Sequence, residues 1–145
     1  MPTFSDSFIV KIGSESFPAR LRRDLAPRSC ERLMALLPYA GRLIHARWSG
    51  EALWSPLGEA FLQGPRLPPE NPRDRPRAGE ILLYVGGHSE PELLIPYGVS
   101  RFACKAGALQ GNPVLSIEDR LESLAELGRE VLWNGAMDLS IEESP

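Results

Sequence analysis

The sequence predicts a mainly β protein, a closed antiparallel barrel of about eight strands with two helices. Short runs of strand length recur along the 145 residues, and turn residues separate most of them. Only two stretches place apolar residues at helical spacing. The regular strand-helix alternation of a parallel, doubly wound sheet is absent. We therefore expect mostly hairpin connections and treat residues 1–145 as a single domain.

Two strands and a helix are predicted at the start of the chain. Residues 7–12 and 17–25 flank a Gly13-Ser14 turn signal, which predicts a hairpin. A helix follows, because Pro27 suits a first helical turn and Pro38 ends the periodic stretch. Its apolar stripe consists of Cys30, Leu33, Met34 and Leu37. A thiol in such a stripe is expected to pack as a small core residue.

Residues 44–54 carry an unusual concentration of chemical groups: two indoles, a guanidinium, an imidazole and a carboxylate. We expect one long strand over residues 42–54, with side chains alternating between two faces. One face then holds His45, Arg47, Ser49 and Glu51, and the other holds Ala46, Trp48, Gly50, Ala52 and Trp54. A bulge at Ser49-Gly50 would invert the assignment beyond it.

Residues 63–79 are rich in proline and arginine, and this composition prevents regular structure over most of the segment. A loop of this length inside a small domain is usually functional or mobile. Two alternatives remain open at this point. The segment is either an extended surface connection or a lid over a pocket, with Glu70-Asn71 at its centre.

The second half of the chain alternates apolar runs with glycine-rich turns. Residues 81–85 suit a buried strand and residues 92–96 its antiparallel partner, with Pro96 placing that partner at an edge or at its end. A short strand over residues 101–104 precedes a glycine-rich loop. A second helix is expected from Ser116 to Gly128, by its capping-box-like start and glycine end. Asn134-Gly135 then predicts a closing hairpin.

Composition excludes several classes of function. The net charge is −3 and no basic stripe is present, so neither nucleic acid nor an anionic membrane surface is an expected partner. No apolar run approaches the ~20 residues that span a bilayer. The N-terminus lacks the pattern of a signal peptide, so we expect a cytoplasmic protein without a disulfide. Two histidines without a clustered third ligand predict no metal site, and no pattern indicates a cofactor.

Several short segments, taken in order, resemble one known superfamily. They are Ala46-Arg-Trp-Ser-Gly-Glu51, Ala78-Gly-Glu-Ile-Leu-Leu-Tyr84, Glu92-Leu-Leu-Ile-Pro-Tyr-Gly98, Gly111-Asn-Pro-Val114 and Val131-Leu-Trp-Asn-Gly-Ala136. Together with the order strand, strand, helix and then barrel strands, they resemble the uncharacterised bacterial proteins with a cyclophilin-like barrel. The resemblance covers nearly the whole chain and implies a single cyclophilin-like domain.

The resemblance does not imply prolyl isomerase activity. Cyclophilins carry an Arg-Ile-Ile-Pro-Gly-Phe-Met segment after the helix and a Gln-Gly-Gly-Asp segment beyond it. The corresponding residues 46–51 offer only Arg47, without the Phe-Met pair or the glutamine. The wider superfamily includes subunits of oxoprolinase-like and urea-carboxylate-cleaving enzymes, and also opine synthases that close a ring on an amino-acid-derived imine. Resemblance to these implies a small ligand that bears an amine or a carboxylate.

Two carboxylates are the candidate catalytic groups. Glu51 lies in the indole-rich stretch, where partial desolvation would suit it to general acid or base chemistry, and Glu92 opens a neighbouring strand. Arg47 could clamp a carboxylate in a bidentate manner. The other candidate ligand-binding residues are His45, Trp48, Trp54, Tyr97 and Phe102. Each also has an ordinary alternative as a solvated or core residue.

Two functions follow from these candidates. The first is an acid-base enzyme, a lyase, cyclase or hydrolase, that uses Glu51 on a small amine or carboxylate. The second is a non-catalytic ligand-binding module or an accessory subunit of a larger enzyme. An open edge near Pro96 and the apolar C-terminal hairpin make a homodimer plausible.

Overall fold

Eight strands close into an antiparallel barrel in the computed structural model, which describes residues 6–145. This confirms the predicted fold class. The barrel order is β1-β10-β3-β4-β6-β5-β9-β2. The strands are β1 (Ser7–Ile12), β2 (Glu15–Leu21), β3 (Tyr39–His45), β4 (Gly50–Pro56), β5 (Glu80–Tyr84), β6 (Glu92–Ser100), β9 (Asn112–Ile117) and β10 (Met137–Glu143). A separate small sheet pairs β7 (Ala103–Cys104) with β8 (Gly107–Ala108).

Two α-helices contribute to the barrel core. Helix α1 (Pro27–Met34) packs against β9, and α2 (Leu121–Asn134) packs against β3, β4 and β6. Apolar side chains from every barrel strand and both helices form one large cluster, in which Cys30 is fully buried. Burial raises the pKa of the Cys30 thiol to about 12. The expectation that Cys30 is a core residue is therefore confirmed, and both cysteines are free thiols.

The predicted single strand over residues 42–54 is wrong, because the chain reverses direction in the middle of it. Strands β3 and β4 pair as a hairpin, with Ile44 opposite Trp54 and the Ala46 N–H donating to the Ala52 carbonyl at 2.9 Å. Residues 46–49 form the connection, and Gly50 adopts a left-handed φ of 80° where β4 begins. The strict two-face alternation predicted for this stretch therefore does not hold.

The predicted edge position of Pro96 is also wrong. Strand β6 lies between β4 and β5, and Pro96 stands opposite Ala52. A register shift between Gly50 and Ala52 marks a bulge in the β4–β6 pair. The barrel of the described residues is closed, so the edge that made a dimer plausible is not available.

Helix α2 starts and ends later than predicted. It begins at Leu121, passes through Gly128 without interruption and ends at Asn134, where Gly135 has a φ of 99°. Gly128 is needed for packing, because a Cβ there would lie 2.3 Å from the Tyr97 ring. The Asn134-Gly135 pair therefore ends the helix instead of turning a hairpin, and residues 130–133 are helical.

The segment of residues 64–79, called here the proline-rich strap, is fastened to the start of α1. The Glu70 carboxylate accepts hydrogen bonds from the Arg28 N–H at 3.1 Å and from the Ser29 N–H and hydroxyl at 2.7 Å each. Asn112 extends the network by donating to the Ser29 hydroxyl at 2.9 Å. Glu70 thus satisfies N–H groups that would otherwise be unpaired at the helix N-terminus.

Candidate functional site

A cleft of about 350 Å³ opens on the outside of the barrel. Its floor comes from Trp54 of β4 and from Glu92 and Leu94 of β6. Three connections form its walls: residues 46–49 between β3 and β4, residues 88–90 between β5 and β6, and residues 103–106 around the β7–β8 turn. The volume lies at the small end of the range for ligand pockets, which corresponds to a small metabolite.

A second apolar cluster supports the floor of this cleft. It lies on the side of β4, β5 and β6 that faces away from the barrel core and consists of Ala52, Leu82, Tyr84, Leu94, Phe102 and Leu109. Phe102 is 1% exposed and packs edge-on against Tyr84, with ring centroids 5.4 Å apart. Phe102 was predicted to contact ligand; the structure places it beneath the cleft, among the residues that hold the small β7–β8 sheet in place.

Glu92 is the most unusual group in the cleft. Its side chain is buried, with 6% of the residue exposed, and within residues 6–145 no group donates a hydrogen bond to it. Burial, and secondarily the charge of Glu90, raise the pKa of Glu92 to about 8. A carboxyl group with this pKa exchanges its proton close to neutral pH.

The remaining charged groups of the cleft also lack ionic partners. Arg47 and Lys105 are exposed and stand in the walls with Glu90, and none of the three forms an ion pair or a side-chain hydrogen bond among the described residues. The ion pairs that residues 6–145 form lie outside the cleft, for example Arg20–Glu118 and Arg73–Glu80. Arg47, Lys105 and Glu90 are therefore each available to form an ion pair or a hydrogen bond with a ligand in the cleft.

Two indoles border the cleft at different depths. Trp54 is half-buried and packs against the second apolar cluster, whereas Trp48 is 54% exposed on the β3–β4 connection. An exposed indole at a cleft rim offers a flat apolar surface for a ligand. The hairpin reversal places Trp48 near Trp54, although the two are six positions apart in the sequence.

His45 and Tyr97 form a separate hydrogen-bonded pair that does not line the cleft. Tyr97 belongs to the barrel core, and its hydroxyl lies 2.8 Å from His45 Nε2. His45 Nδ1 lies 2.8 Å from the Ala46 carbonyl, which can only accept, so Nδ1 donates, and Nε2 pairs with the Tyr97 hydroxyl. Burial and the nearby Glu51 raise the pKa of Tyr97 above its ordinary value.

Glu51 lies at the β4–β6 bulge, outside the lining of the cleft. Its side chain is exposed, and Oε1 accepts a hydrogen bond from the Val99 N–H at 2.9 Å. The carboxylate lies across Gly98, where a Cβ would stand 2.5 Å from Oε1. The structure thus separates the two predicted catalytic carboxylates: Glu92 lies inside the cleft and Glu51 is at the surface beyond it.

Four of the eight predicted site residues meet in the cleft, namely Arg47, Trp48, Trp54 and Glu92. Sequence reasoning missed the cleft residues Glu90, Cys104 and Lys105, and it left His88 open between a rim group and a solvated turn residue. They lie on connections or, for Cys104, on the two-residue strand β7, where neither apolar periodicity nor a motif marks them. The predicted lid is not supported, because no residue of the proline-rich strap lines the cleft. The strap agrees with the alternative of a surface connection.

Residues 6–145 contain neither a metal-binding cluster nor a membrane-spanning helix. No group of three or more His, Cys, Asp or Glu side chains in this range is arranged to hold a metal ion. Neither of the described α-helices has the length and apolar character needed to cross a bilayer.

Two solved structures share this fold. McbB, in complex with tryptophan, superposes with a TM-score of 0.72 at 20% identity, over 94% of this chain and 44% of that chain. The hypothetical protein AF2241 from Archaeoglobus fulgidus, a solution structure, superposes with a TM-score of 0.57 at 12% identity, over 99% of this chain and 100% of that chain. The chain thus spans less than half the length of the McbB chain. The predicted closed antiparallel barrel is confirmed, and the two superpositions are consistent with a cyclophilin-like fold.

Sequence comparison matches this chain to one family of proteins. Comparison with curated proteins gives no match. One family model, described as "Protein of unknown function (DUF3830)", matches residues 9–142, which is nearly the whole chain. The chain therefore belongs to the DUF3830 family.

Proposed function

We propose that the cleft binds a small amine- or carboxylate-bearing molecule and that Glu92 exchanges a proton with it. The observation that carries the proposal is a buried carboxyl group, without a hydrogen-bond donor among the described residues, that faces a cleft of metabolite size. The Glu92 carboxyl oxygens are not sealed from solvent, because the one buried side-chain oxygen without a partner among the described residues is Ser100 Oγ. A ligand in the cleft can therefore contact the Glu92 carboxyl group directly.

The chemistry of Glu92 suits general acid-base catalysis. In its neutral form it donates a hydrogen bond or a proton to a basic ligand atom, and after ionisation it accepts a proton from the ligand. A pKa of about 8 makes both forms accessible near neutral pH. This supports the reaction classes expected from the sequence, a lyase, cyclase or hydrolase, with Glu92 as the proton-transfer group.

The likeness to McbB supports a ligand of this kind. McbB was solved in complex with tryptophan, which bears both an amine and a carboxylate, and it shares the barrel over 94% of this chain. At 20% identity the likeness shows the fold alone, so the ligand is a proposal for this chain.

A non-catalytic binding module is the second candidate. Its support is that the McbB structure records a bound tryptophan and not a reaction. A module of this kind would bind the ligand in the same cleft without turnover, alone or as an accessory subunit. Neither candidate uses Glu51, because its exposed carboxylate accepts a hydrogen bond from the Val99 N–H outside the cleft. Its predicted catalytic role stays a prediction.

A paired substitution tests the proposed function. Amide chemical shifts of the full-length protein are followed by NMR during titration with L-tryptophan, acetate and methylammonium. We expect at least one of these to shift residues 46–49 and 103–106. Glu92→Gln should weaken the binding of the two amines, L-tryptophan and methylammonium, at least tenfold. The matched variant Glu51→Gln should leave binding unchanged.

Two results would contradict this proposal. The absence of cleft-centred shifts with all three ligands would reject the binding site. Loss of binding in Glu51→Gln with retention in Glu92→Gln would transfer the role to the carboxylate first predicted from the sequence.

A further inference from the structure

We propose that the cleft is built for a zwitterion, with its ammonium end at Glu90 and Glu92 and its carboxylate end at Arg47 and Lys105. The inference rests on the proposed function and names the ligand class for the same cleft.

The acidic wall consists of two carboxylates from one segment of the chain. Glu90 lies in the β5–β6 connection and Glu92 opens β6, and both line the cleft. They are close enough for the charge of Glu90 to oppose ionisation of Glu92. A cation between or above them would relieve this repulsion, and within residues 6–145 the protein supplies none.

The basic wall is built from two different connections. Arg47 comes from the β3–β4 connection and Lys105 from the β7–β8 turn, so two separate parts of the chain bring one cation each to the cleft. Neither cation has a carboxylate partner among the described residues. Convergence of two unpaired cations is a suitable arrangement for binding a carboxylate.

Opposite charges line the same cleft without pairing with each other. No nitrogen of Arg47 or Lys105 lies within 4.0 Å of an oxygen of Glu90 or Glu92. The acidic and basic side chains thus meet the cleft at separate places, and a ligand with two opposite charges can contact both. A singly charged ligand would satisfy only one wall.

The surface between the two walls indicates which uncharged group the ligand carries. Trp54, Leu94 and Ala46 form an apolar floor, with Trp48 at the rim. Indole faces bind flat apolar groups and also attract cations. An aromatic amino acid therefore fits this surface better than a small aliphatic one, and the volume of about 350 Å³ admits a single such molecule.

Three ligands with the same phenyl body separate the two charges. L-phenylalanine carries both, phenethylamine only the amine and 3-phenylpropionate only the carboxylate. Isothermal titration calorimetry of the full-length protein should give L-phenylalanine at least tenfold higher affinity than either analogue. Arg47→Gln should weaken L-phenylalanine and phenylpropionate at least fivefold without affecting phenethylamine. Glu92→Gln should weaken L-phenylalanine and phenethylamine without affecting phenylpropionate.

A matched control and three outcomes complete the test. Arg42→Gln removes an exposed arginine of β3 that pairs with Asp138 outside the cleft, so it should change none of the affinities. If a singly charged analogue binds as tightly as L-phenylalanine, the zwitterion inference is wrong while the proposed function stands. If Arg47→Gln weakens phenethylamine and Glu92→Gln weakens phenylpropionate, the proposed orientation of the ligand is wrong. If no ligand binds in this assay or in the NMR titration, both proposals fail.

Discussion

The cleft and the proline-rich strap each contain a glutamate that directly follows a proline, yet the two carboxyl groups have opposite properties. Glu70 on the strap accepts three hydrogen bonds from Arg28 and Ser29. Burial alone would raise its pKa, but these bonds outweigh burial and lower it. Glu92 in the cleft has no donor among the described residues, and burial raises its pKa to about 8. The strap uses its carboxylate to hold the fold, whereas the cleft keeps its carboxyl available.

The largest expected effect is on the pH dependence of stability through Glu92. Between pH 4.5 and 8 the folded protein retains a proton that the unfolded chain releases, so the free energy of unfolding falls as pH rises through this range. Glu92→Gln removes this loss and should be more stable than the wild type at pH 9, by roughly 5 kcal/mol at most. At pH 4 the two should agree closely. Urea denaturation at both pH values measures the difference.

Glu92→Asp provides a control that keeps the ionisable group, and it should retain a decline in stability towards high pH. Equal stability of wild type and Glu92→Gln at pH 9 would show that Glu92 ionises without cost. The contrast with the strap would then disappear.

A smaller effect of opposite sign is expected at Glu70. Because its folded pKa is lowered, its contribution is present above the ordinary carboxyl pKa and is lost as pH falls through the folded value. Glu70→Gln should reduce the free energy of unfolding at pH 7 by about 1–3 kcal/mol, the usual range for hydrogen bonds to a charged group. The same urea experiment at pH 7 and pH 3 should show a smaller acid loss in the variant. An unchanged stability at pH 7 would mean that the strap does not depend on this contact.

The smallest expected effect is at Arg47. This arginine has no ionic partner among the described residues, so Arg47→Gln should change stability by less than about 0.5 kcal/mol. Arg73 of the strap is the matched control, since its removal leaves buried Glu80 without its 2.5 Å partner. Arg73→Gln should cost about 1–3 kcal/mol. Thermal denaturation of both variants at pH 7 measures the two losses of stability. Equal losses would contradict the distinction between the cleft and the strap.

The barrel was predictable because strand-length apolar runs and turn residues follow one another along the chain. The reversal at residues 46–49 was not predictable, since Ala-Arg-Trp-Ser contains neither glycine nor proline and continues the alternation. Gly128 was misread for a related reason. Glycine ends many helices, but here it admits the Tyr97 ring, a contact that exists only after α2 packs on β6.

The candidate site was predicted in part, because residue chemistry is visible in the sequence and proximity is not. Arg47, Trp48 and Trp54 come together with Glu92 only through the pairing of β4 with β6. Local composition favoured Glu51, which lies between Trp48 and Trp54 in the sequence. Burial distinguishes the two glutamates, and burial depends on the loops that fold over the outside of the barrel.

The positions of the three tryptophans give the protein an internal optical reporter. Trp48 and Trp54 border the cleft, whereas Trp133 is 83% exposed near the end of α2 and contributes nothing to its lining. Once Trp133 is replaced by phenylalanine, all remaining indole emission comes from the borders of the cleft. Occupancy of the cleft can then be followed in solution by the colour and intensity of that emission, without attaching a dye.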